Sequence, residues 1–370
     1  MYRTVEAGRT LLVDGPASVS VLSGGVEVFG YRVRSTGRMV VREGKRLPFT
    51  VAEKASFDVV LGEGASLDEV EGSTIPSSWA KAFDALREPR RTPMVAMIMG
   101  GVDSGKTSLC TYLANRLLAQ GQRVAILDGD VGQSDLGPPC TVAYAVVSKP
   151  VTDLFGLNAA DAFFVGATSP SDAVDRAVLG MARMKEEVLQ ESVDFVVVNT
   201  DGWVVGEDAV AYKSRLAEIL APDVVFCIRH EDELAPLAAN MERFRVVAVE
   251  AAAPAKQRSR EKRKSLRELS YIKYLADAKV KVWPLQRLVV EEPRELCRRP
   301  PADDAEREKL KGSLLGLHDA QGRFLGIGVL RDLDCARGAL RVLTSVTATP
   351  SRIVVGEIRL DESLHEILPQ

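Results

Sequence analysis

The residues best suited to chemistry form a short loop. Gly100-Gly101-Val102-Asp103-Ser104-Gly105-Lys106-Thr107 fits the pattern G-x-x-x-x-G-K-[ST], after an apolar run and before a helix-like segment. Glycines in such a loop let backbone N–H groups turn inward around phosphate oxygens, and the helix N-terminus adds positive potential. A lysine at position 106 reaches the β and γ phosphates, and the Thr107 hydroxyl ligates Mg²⁺. The expected nucleotide-binding set is therefore Gly101, Val102, Asp103, Ser104, Gly105, Lys106, Thr107 and Ser108. ATPases, GTPases and small kinases share this loop. The guanine-reading N-K-x-D after a later strand is missing, because Ile228 is followed by Arg229-His230-Glu231-Asp232. ATP with Mg²⁺ is the expected pair of cofactors.

A second chemical feature lies downstream. Val124-Ala125-Ile126-Leu127 runs into Asp128-Gly129-Asp130-Val131-Gly132-Gln133. Carboxylates at the C-terminal end of a parallel strand face the phosphate crevice. Such an acid holds a Mg²⁺ water or takes a proton from an attacking hydroxyl. If the strand continues, the spacing of two points Asp128 and Asp130 the same way. A charged turn that merely closes the strand is the bland alternative, and the loop upstream makes it the poorer one.

The elements that must position these residues follow from the pattern of apolar residues. Leu11–Val13, Val19–Leu22, Val26–Phe29, Met39–Val41 and Phe57–Leu61 are short β-branched runs, separated by Gly15-Pro16, Gly24-Gly25 and Glu43-Gly44. Residues 1–88 are thus predicted to be a small β-sandwich-like domain, with a helix over Ser77–Glu88 carrying Trp79, Phe83 and Leu86 on one stripe. Glu88-Pro89-Arg90-Arg91-Thr92-Pro93 reads as a linker. From Met94 strand and helix alternate: strands at Met94–Met99, Val124–Leu127, Phe195–Val198 and Val224–Ile228, helices at Thr107–Gln120, Ala173–Gln190 and Ala209–Leu220. Alternation of this kind implies a parallel sheet with helices on both faces, here a P-loop domain over residues 89–279 that ends in a basic stretch. Val280–Trp283, Phe324–Leu330 and Ile353–Ile358 place a small β-rich domain at 280–370. The fold class is α/β: a central P-loop NTPase domain flanked by a small N-terminal β domain and a small C-terminal β-rich domain.

Composition bounds the function. The chain has 370 residues, 46% hydrophobic and 27% charged, with a formal net charge of −3. That balance excludes disorder as the main state and a global basic field that would draw the protein to nucleic acid, so such contact needs a local patch. Cys110, Cys140, Cys227, Cys297 and Cys335 are odd in number and scattered, as are His230, His318 and His365. Neither a disulfide framework nor a zinc site is expected. The N-terminus lacks the apolar stretch of a signal peptide, and no apolar run approaches the ~18 residues that span a bilayer. No membrane partner is expected, and the expected compartment is the cytoplasm (the nucleus in a eukaryote).

Taken together, the motifs resemble those of the polynucleotide 5′-hydroxyl kinases. These are RNA kinases related to the pre-mRNA cleavage-complex subunit and to the ribosomal-RNA-processing kinase, and they have archaeal members. The P-loop and Asp128-Gly129-Asp130-Val131-Gly132-Gln133 are similar to that family's pair. So are Thr168-Ser169-Pro170, Asn199-Thr200-Asp201-Gly202-Trp203-Val204, and Arg258-Ser259-Arg260-Glu261-Lys262-Arg263 with Arg267. Ser23-Gly24 and Glu27-Val28-Phe29-Gly30 resemble its N-terminal domain. The resemblance covers nearly the whole chain. It implies that Lys106 and Thr107 serve the triphosphate and metal, with Asp128 a second metal residue. Asp130 would be the base acting on the 5′-hydroxyl, and Trp203 would stack on the terminal base. Gln133, Thr168 and Ser169 would line the substrate side. Arg263 and Arg267 would form a lid over the transferring phosphoryl group, with Arg258 in support.

The residues can be weighed physically. Stacking of an aromatic ring on a nucleobase stabilises by ~1–3 kcal/mol and tolerates any base, whereas a lone tryptophan is more often core. Within the lid, placed at 256–274, the run Lys256, Arg258, Arg260, Lys262, Arg263, Lys264 and Arg267 has Glu261 as its one acid. Cations so crowded repel one another unless a polyanion joins them, and guanidinium forks suit phosphate. The expected partner is a single-stranded RNA or DNA 5′-hydroxyl end, with RNA-processing proteins as further partners. Two functions remain open on the sequence: a kinase on polynucleotide ends, or a non-catalytic ATP-binding scaffold of an RNA-processing complex.

Overall fold

Met94–Gly100 is an unbroken run of buried residues, as expected of a strand covered on both faces. The computed structural model describes residues 1–33, 37–87, 91–229, 232–252, 258–291, 309–334 and 337–367. Within it this strand pairs in parallel with Phe195–Asn199 on one side and Val224–Arg229 on the other. Val246–Glu250 extends the sheet in parallel beyond Val224–Arg229, and Val124–Asp128 lies beside Phe195–Asn199. Helices Lys106–Ala119 and Glu207–Leu220 belong to the same region. The chain is an α/β protein with a P-loop NTPase domain at its centre and a β domain at either end. Among the described residues no helix is long and apolar enough to cross a membrane.

Two units are distinguished: Met1–Leu127 with Ala145–Asn158 and Val188–Lys262, and Asp128–Tyr144 with Ala159–Glu187 and Arg263–Gln370. Glu88, Pro89 and Arg90 of the expected linker, Lys256 of the expected lid, and His230, Cys297 and Cys335 lie outside the described residues.

The first unit contains the N-terminal antiparallel sheet, built around two long strands, Ala17–Val28 and Arg46–Leu61. Two expectations are corrected there. Gly24-Gly25 is not a turn between strands but lies inside Ala17–Val28, where the register slips on either side of Ser23 and again at Gly25. Gly24 has φ +92°, and a Cβ on it would stand 2.3 Å from the Lys54 carbonyl oxygen. The glycine marks a bulge that bends one strand. The expected strand at Phe57–Leu61 is the last third of Arg46–Leu61, whose earlier residues mix polar and apolar types too freely to show a period. Helix Ser77–Asp84 is shorter than predicted. Trp79 is fully buried, donates from Nε1 to the Glu250 carbonyl at 2.9 Å and meets Tyr112 edge to face at 5.6 Å.

In the second unit Thr141–Tyr144 pairs antiparallel with Asp161–Phe164. The C-terminal sheet runs Lys279–Pro284, Ala339–Thr344, Phe324–Asp334, Ser313–His318, Arg352–Leu360, Val289–Glu291, and the short strand Glu366–Ile367 pairs with Arg352–Leu360. Every residue of Ser313–His318 is buried. One face packs Leu314 with Cys140, Phe164 and Tyr271, the other packs Leu315 and Leu317 with Trp283 and Val342. Cys110, Cys140 and Cys227 are buried and form no disulfide among the described residues. Burial pushes the Cys140 thiol up to about 12 and the Cys227 thiol up to about 11.

Trp79→Ala removes the indole that joins Ser77–Asp84 to the end of Val246–Glu250. Its expected cost is ~3–5 kcal/mol, read by denaturant unfolding of the full chain; a loss below ~1 kcal/mol would remove Trp79 from the core.

Candidate active site

The P-loop is built by the first unit. Lys106, the first residue of its helix, is buried, and its Nζ donates to the Gly101 carbonyl at 2.6 Å. The Ser104 hydroxyl is buried and has no hydrogen-bond partner among the described residues. Thr107 Oγ1 accepts at 3.5 Å from Asn199 Nδ2, at the end of the adjacent strand. Asp103, at φ +57°, accepts the Arg258 backbone N–H at 2.8 Å, with the Arg258 guanidinium 3.7 Å from its other oxygen. Arg258 Nε is buried without a partner among the described residues.

These residues fit a magnesium–triphosphate. A buried hydroxyl and a buried guanidinium N–H without partners cost free energy unless an acceptor completes them, and phosphate oxygens are such acceptors. The ammonium of Lys106 rests on a loop carbonyl, a weaker acceptor than a phosphate oxygen.

Trp203 sits on a loop that leans against the P-loop. A Cβ on Gly202 would lie 2.9 Å from the Val102 backbone nitrogen, so only glycine allows the approach. Asp201 accepts the Trp203 N–H at 2.9 Å through Oδ1 and the Lys213 ammonium at 2.7 Å through Oδ2. Both members of this ion pair are buried. The half-buried Trp203 stacks on Tyr212, with ring centroids 5.6 Å apart and planes at 26°. Sequence reading missed Asp201 and Lys213. The signal was there: Lys213 falls on the stripe Ala209, Tyr212, Leu216, Ala217 and Leu220 that its helix buries, and a lysine in that place needs a carboxylate.

The remaining candidates belong to the second unit. The strand stops at Asp128, so Asp128 and Asp130 do not share a face by alternation, and that expectation is corrected. Asp128 is fully buried and accepts the backbone N–H groups of Asp130 at 3.2 Å, Asp135 at 2.9 Å and Leu136 at 3.4 Å. The chain turns around this carboxylate. Asp130 is half-buried and its Oδ1 accepts the Gln133 N–H at 3.0 Å. Gln133 Nε2 donates at 3.2 Å to the carbonyl of Arg263. A Cβ on Gly132 would lie 2.7 Å from the Thr168 carbonyl oxygen, which brings the half-buried Thr168 and Ser169 beside this turn. The Ser169 hydroxyl is 2.7 Å from that of Ser171.

Arg263 and Arg267 lie on helix Arg260–Tyr274, as their spacing predicts. Arg267 grips Glu366 with both ends of its fork, at 2.6 Å each. Burial works against its charge, but the hydrogen bonds and attraction of Glu366 leave the guanidinium pKa raised. The basic run is also less bare than its sequence implies, since Lys262 pairs with Glu43 and Lys264 lies 3.8 Å from Glu268.

Fold and loop together define a P-loop NTPase. Residues 100–277 match the model of the family described as mRNA cleavage and polyadenylation factor CLP1 P-loop. The polyribonucleotide 5′-hydroxyl-kinase of Pyrococcus abyssi is 29% identical over 326 residues, 76% of this chain and 91% of the relative. That of Thermococcus kodakarensis is 29% identical over 340 residues, 79% and 95% of the two chains. Among solved structures, the wild-type Clp1p–Pcf11p (454–563) complex superposes with a TM-score of 0.79, covering 97% of each chain at 14% identity, which is a likeness of fold.

Lys213→Met strands the Asp201 carboxylate in the interior. The expected loss is ~3–5 kcal/mol in unfolding free energy, most of it recovered when Asp201→Asn is added. A double variant no more stable than the single one would show that the pair is not a unit.

Proposed function

We propose that this protein is an ATP-dependent polynucleotide 5′-hydroxyl kinase that phosphorylates the 5′-hydroxyl end of RNA. The relatives that carry this activity in their names align over about nine-tenths of their length, and this chain has the residues such chemistry needs. The observation that carries the reading is Asp130, a half-exposed carboxylate held in place by the Gln133 N–H on a turn built around a second, buried aspartate. A scaffold that only holds ATP has no use for it.

ATP supplies the γ-phosphoryl group, and Mg²⁺, held through Thr107, offsets its charge. Lys106 exchanges the Gly101 carbonyl for the β and γ phosphates, and Ser104 and Arg258 supply the O–H and N–H donors that have no partner among the described residues. Asp130 orients the 5′-hydroxyl and accepts its proton as the oxygen attacks, while the bond from the γ-phosphorus to its bridging oxygen breaks. Trp203, backed by Tyr212 on one face, offers an indole surface to the terminal base. Arg263 faces the growing charge on the phosphoryl oxygens. Asp128 acts here chiefly as the pivot of the Asp130 turn, since its oxygens already accept three backbone N–H groups, and Arg267 chiefly as the anchor of its helix. Thr168 and Ser169 line the substrate side. A protein partner from RNA processing is part of the same reading: a protein of this fold is known in complex with Pcf11p.

Mixing the full chain with γ-labelled ATP and a 5′-hydroxyl oligoribonucleotide should move label to the oligonucleotide; a DNA oligonucleotide in parallel reads the sugar preference. Lys106→Ala should abolish transfer. Asp130→Asn should lower kcat by ~10²–10⁴-fold with little change in ATP affinity, and equal losses in both would refute a base role. Trp203→Ala should weaken oligonucleotide binding by ~1–3 kcal/mol while ATP binding holds; an unchanged oligonucleotide affinity would take Trp203 out of the site. No label on either oligonucleotide, with ATP bound, would favour the scaffold.

A further inference from the structure

Glu366 makes more contacts to the basic helix than any sequence feature announces. It lies on the short strand Glu366–Ile367, paired with Arg359 and Leu360. Its carboxylate takes both ends of the Arg267 fork at 2.6 Å, and its Oε1 also accepts the Tyr271 hydroxyl at 3.1 Å. Its backbone N–H in turn donates to Glu268 Oε1 at 3.0 Å. One residue thus holds Arg267, Glu268 and Tyr271, which span more than a turn of helix. Glu366 and Arg267 are both largely buried, with 8% and 16% of their side chains exposed, so neither can leave the pair cheaply.

The same helix is also tied to the turn that carries Asp130. The Arg263 carbonyl accepts from Gln133 at 3.2 Å, and the Tyr274 hydroxyl donates to the Leu136 carbonyl at 3.2 Å. Gln133 in turn holds Asp130 Oδ1 through its backbone N–H at 3.0 Å. Contacts therefore run without a break from Glu366 through Arg267, one turn of helix, Arg263 and Gln133 to Asp130. A shift of the helix along its axis would move the Arg263 guanidinium and the Asp130 carboxylate together.

We propose that Glu366 is a positioning residue for phosphoryl transfer, fixing the register of helix Arg260–Tyr274 and through it the placement of Arg263 and Asp130. This rests on the kinase reading above. The C-terminal sheet then has a task in the reaction through the helix it anchors.

The test uses the full chain and compares wild type with Glu366→Gln, Arg267→Gln, the double variant and Glu366→Asp. Glu366→Gln keeps the shape but loses the charge and one acceptor. Its kcat should fall by ~10–100-fold, the cost of misplacing a group by about an ångström, while KM for ATP stays within ~2-fold. Amide hydrogens of residues 260–274 should exchange faster without nucleotide. Arg267→Gln should match it, and the double variant should lose no more than either alone. Glu366→Asp, which keeps charge and both oxygens, should retain more of kcat than Glu366→Gln and decides the matter if that variant folds poorly. A wild-type kcat in Glu366→Gln, losses that multiply in the double variant, or a rise in ATP KM without loss of kcat would overturn the proposal. An inert wild type would bring down the kinase reading and this role with it; an active wild type with an active Glu366→Gln would bring down this role alone.

Discussion

Cations meant for phosphate must be kept close together, kept charged and kept off one another before any phosphate arrives. In water such a cluster would spread apart, and in a protein interior each unpaired charge costs several kcal/mol. This protein meets the constraint by bringing an acid from a distant segment to three cations of its basic stretch. Asp103 of the P-loop meets Arg258, Glu43 of the N-terminal sheet meets Lys262, and Glu366 of the C-terminal sheet meets Arg267. The pairs also set geometry. A bidentate fork such as that of Arg267 fixes orientation as well as distance, and the Asp103 carboxylate holds a backbone N–H as well as a guanidinium. The donors then left without partners among the described residues, the Ser104 hydroxyl and Arg258 Nε, are of the kind that suits phosphate oxygens.

The same economy governs the aspartates. Asp201 is buried against a buried lysine and spends its remaining oxygen on the Trp203 N–H. An exposed ion pair would hold that loop weakly, because solvent screening leaves little of its energy. A buried pair cannot separate without stranding a charge, so the loop carrying Trp203 stays where Gly202 meets Val102. Rigidity of this kind suits a stacking platform, which works best when its ring is ordered before the base arrives.

The parts of this architecture legible in the sequence are those carried by local pattern. The run MVAMIMG followed by a glycine loop and a lysine states strand, phosphate cradle and helix in consecutive residues, so the P-loop domain could be read directly. The spacing of Arg263 and Arg267 likewise gave their shared helix. Strands such as Thr141–Val147, Asp161–Phe164 and Val246–Glu250 were not foreseen. Their apolar residues follow neither a clean alternation nor a helical period, so only their sheet neighbours define them. The bulge at Gly24 imitated a turn because a glycine pair does the same in either setting. The acid partners of the basic run were invisible for a simpler reason: Glu43 and Glu366 lie 219 and 99 residues from their cations, and nothing local marks a carboxylate that will meet a distant arginine.

Asp128 and Asp130 show how a motif can be found while its division of labour stays hidden. The sequence presents two equivalent acids at a strand end. Once the strand stops at Asp128, the first side chain turns into the protein and meets the N–H groups of Asp130, Asp135 and Leu136, while the second stays half-buried and takes the N–H of Gln133. Backbone N–H groups that converge on a carboxylate hold it still and fix the turn around it. The difference between the two acids therefore lies in which backbone donors each one meets, a property set by the path of the chain after Asp128 and carried by neither residue alone.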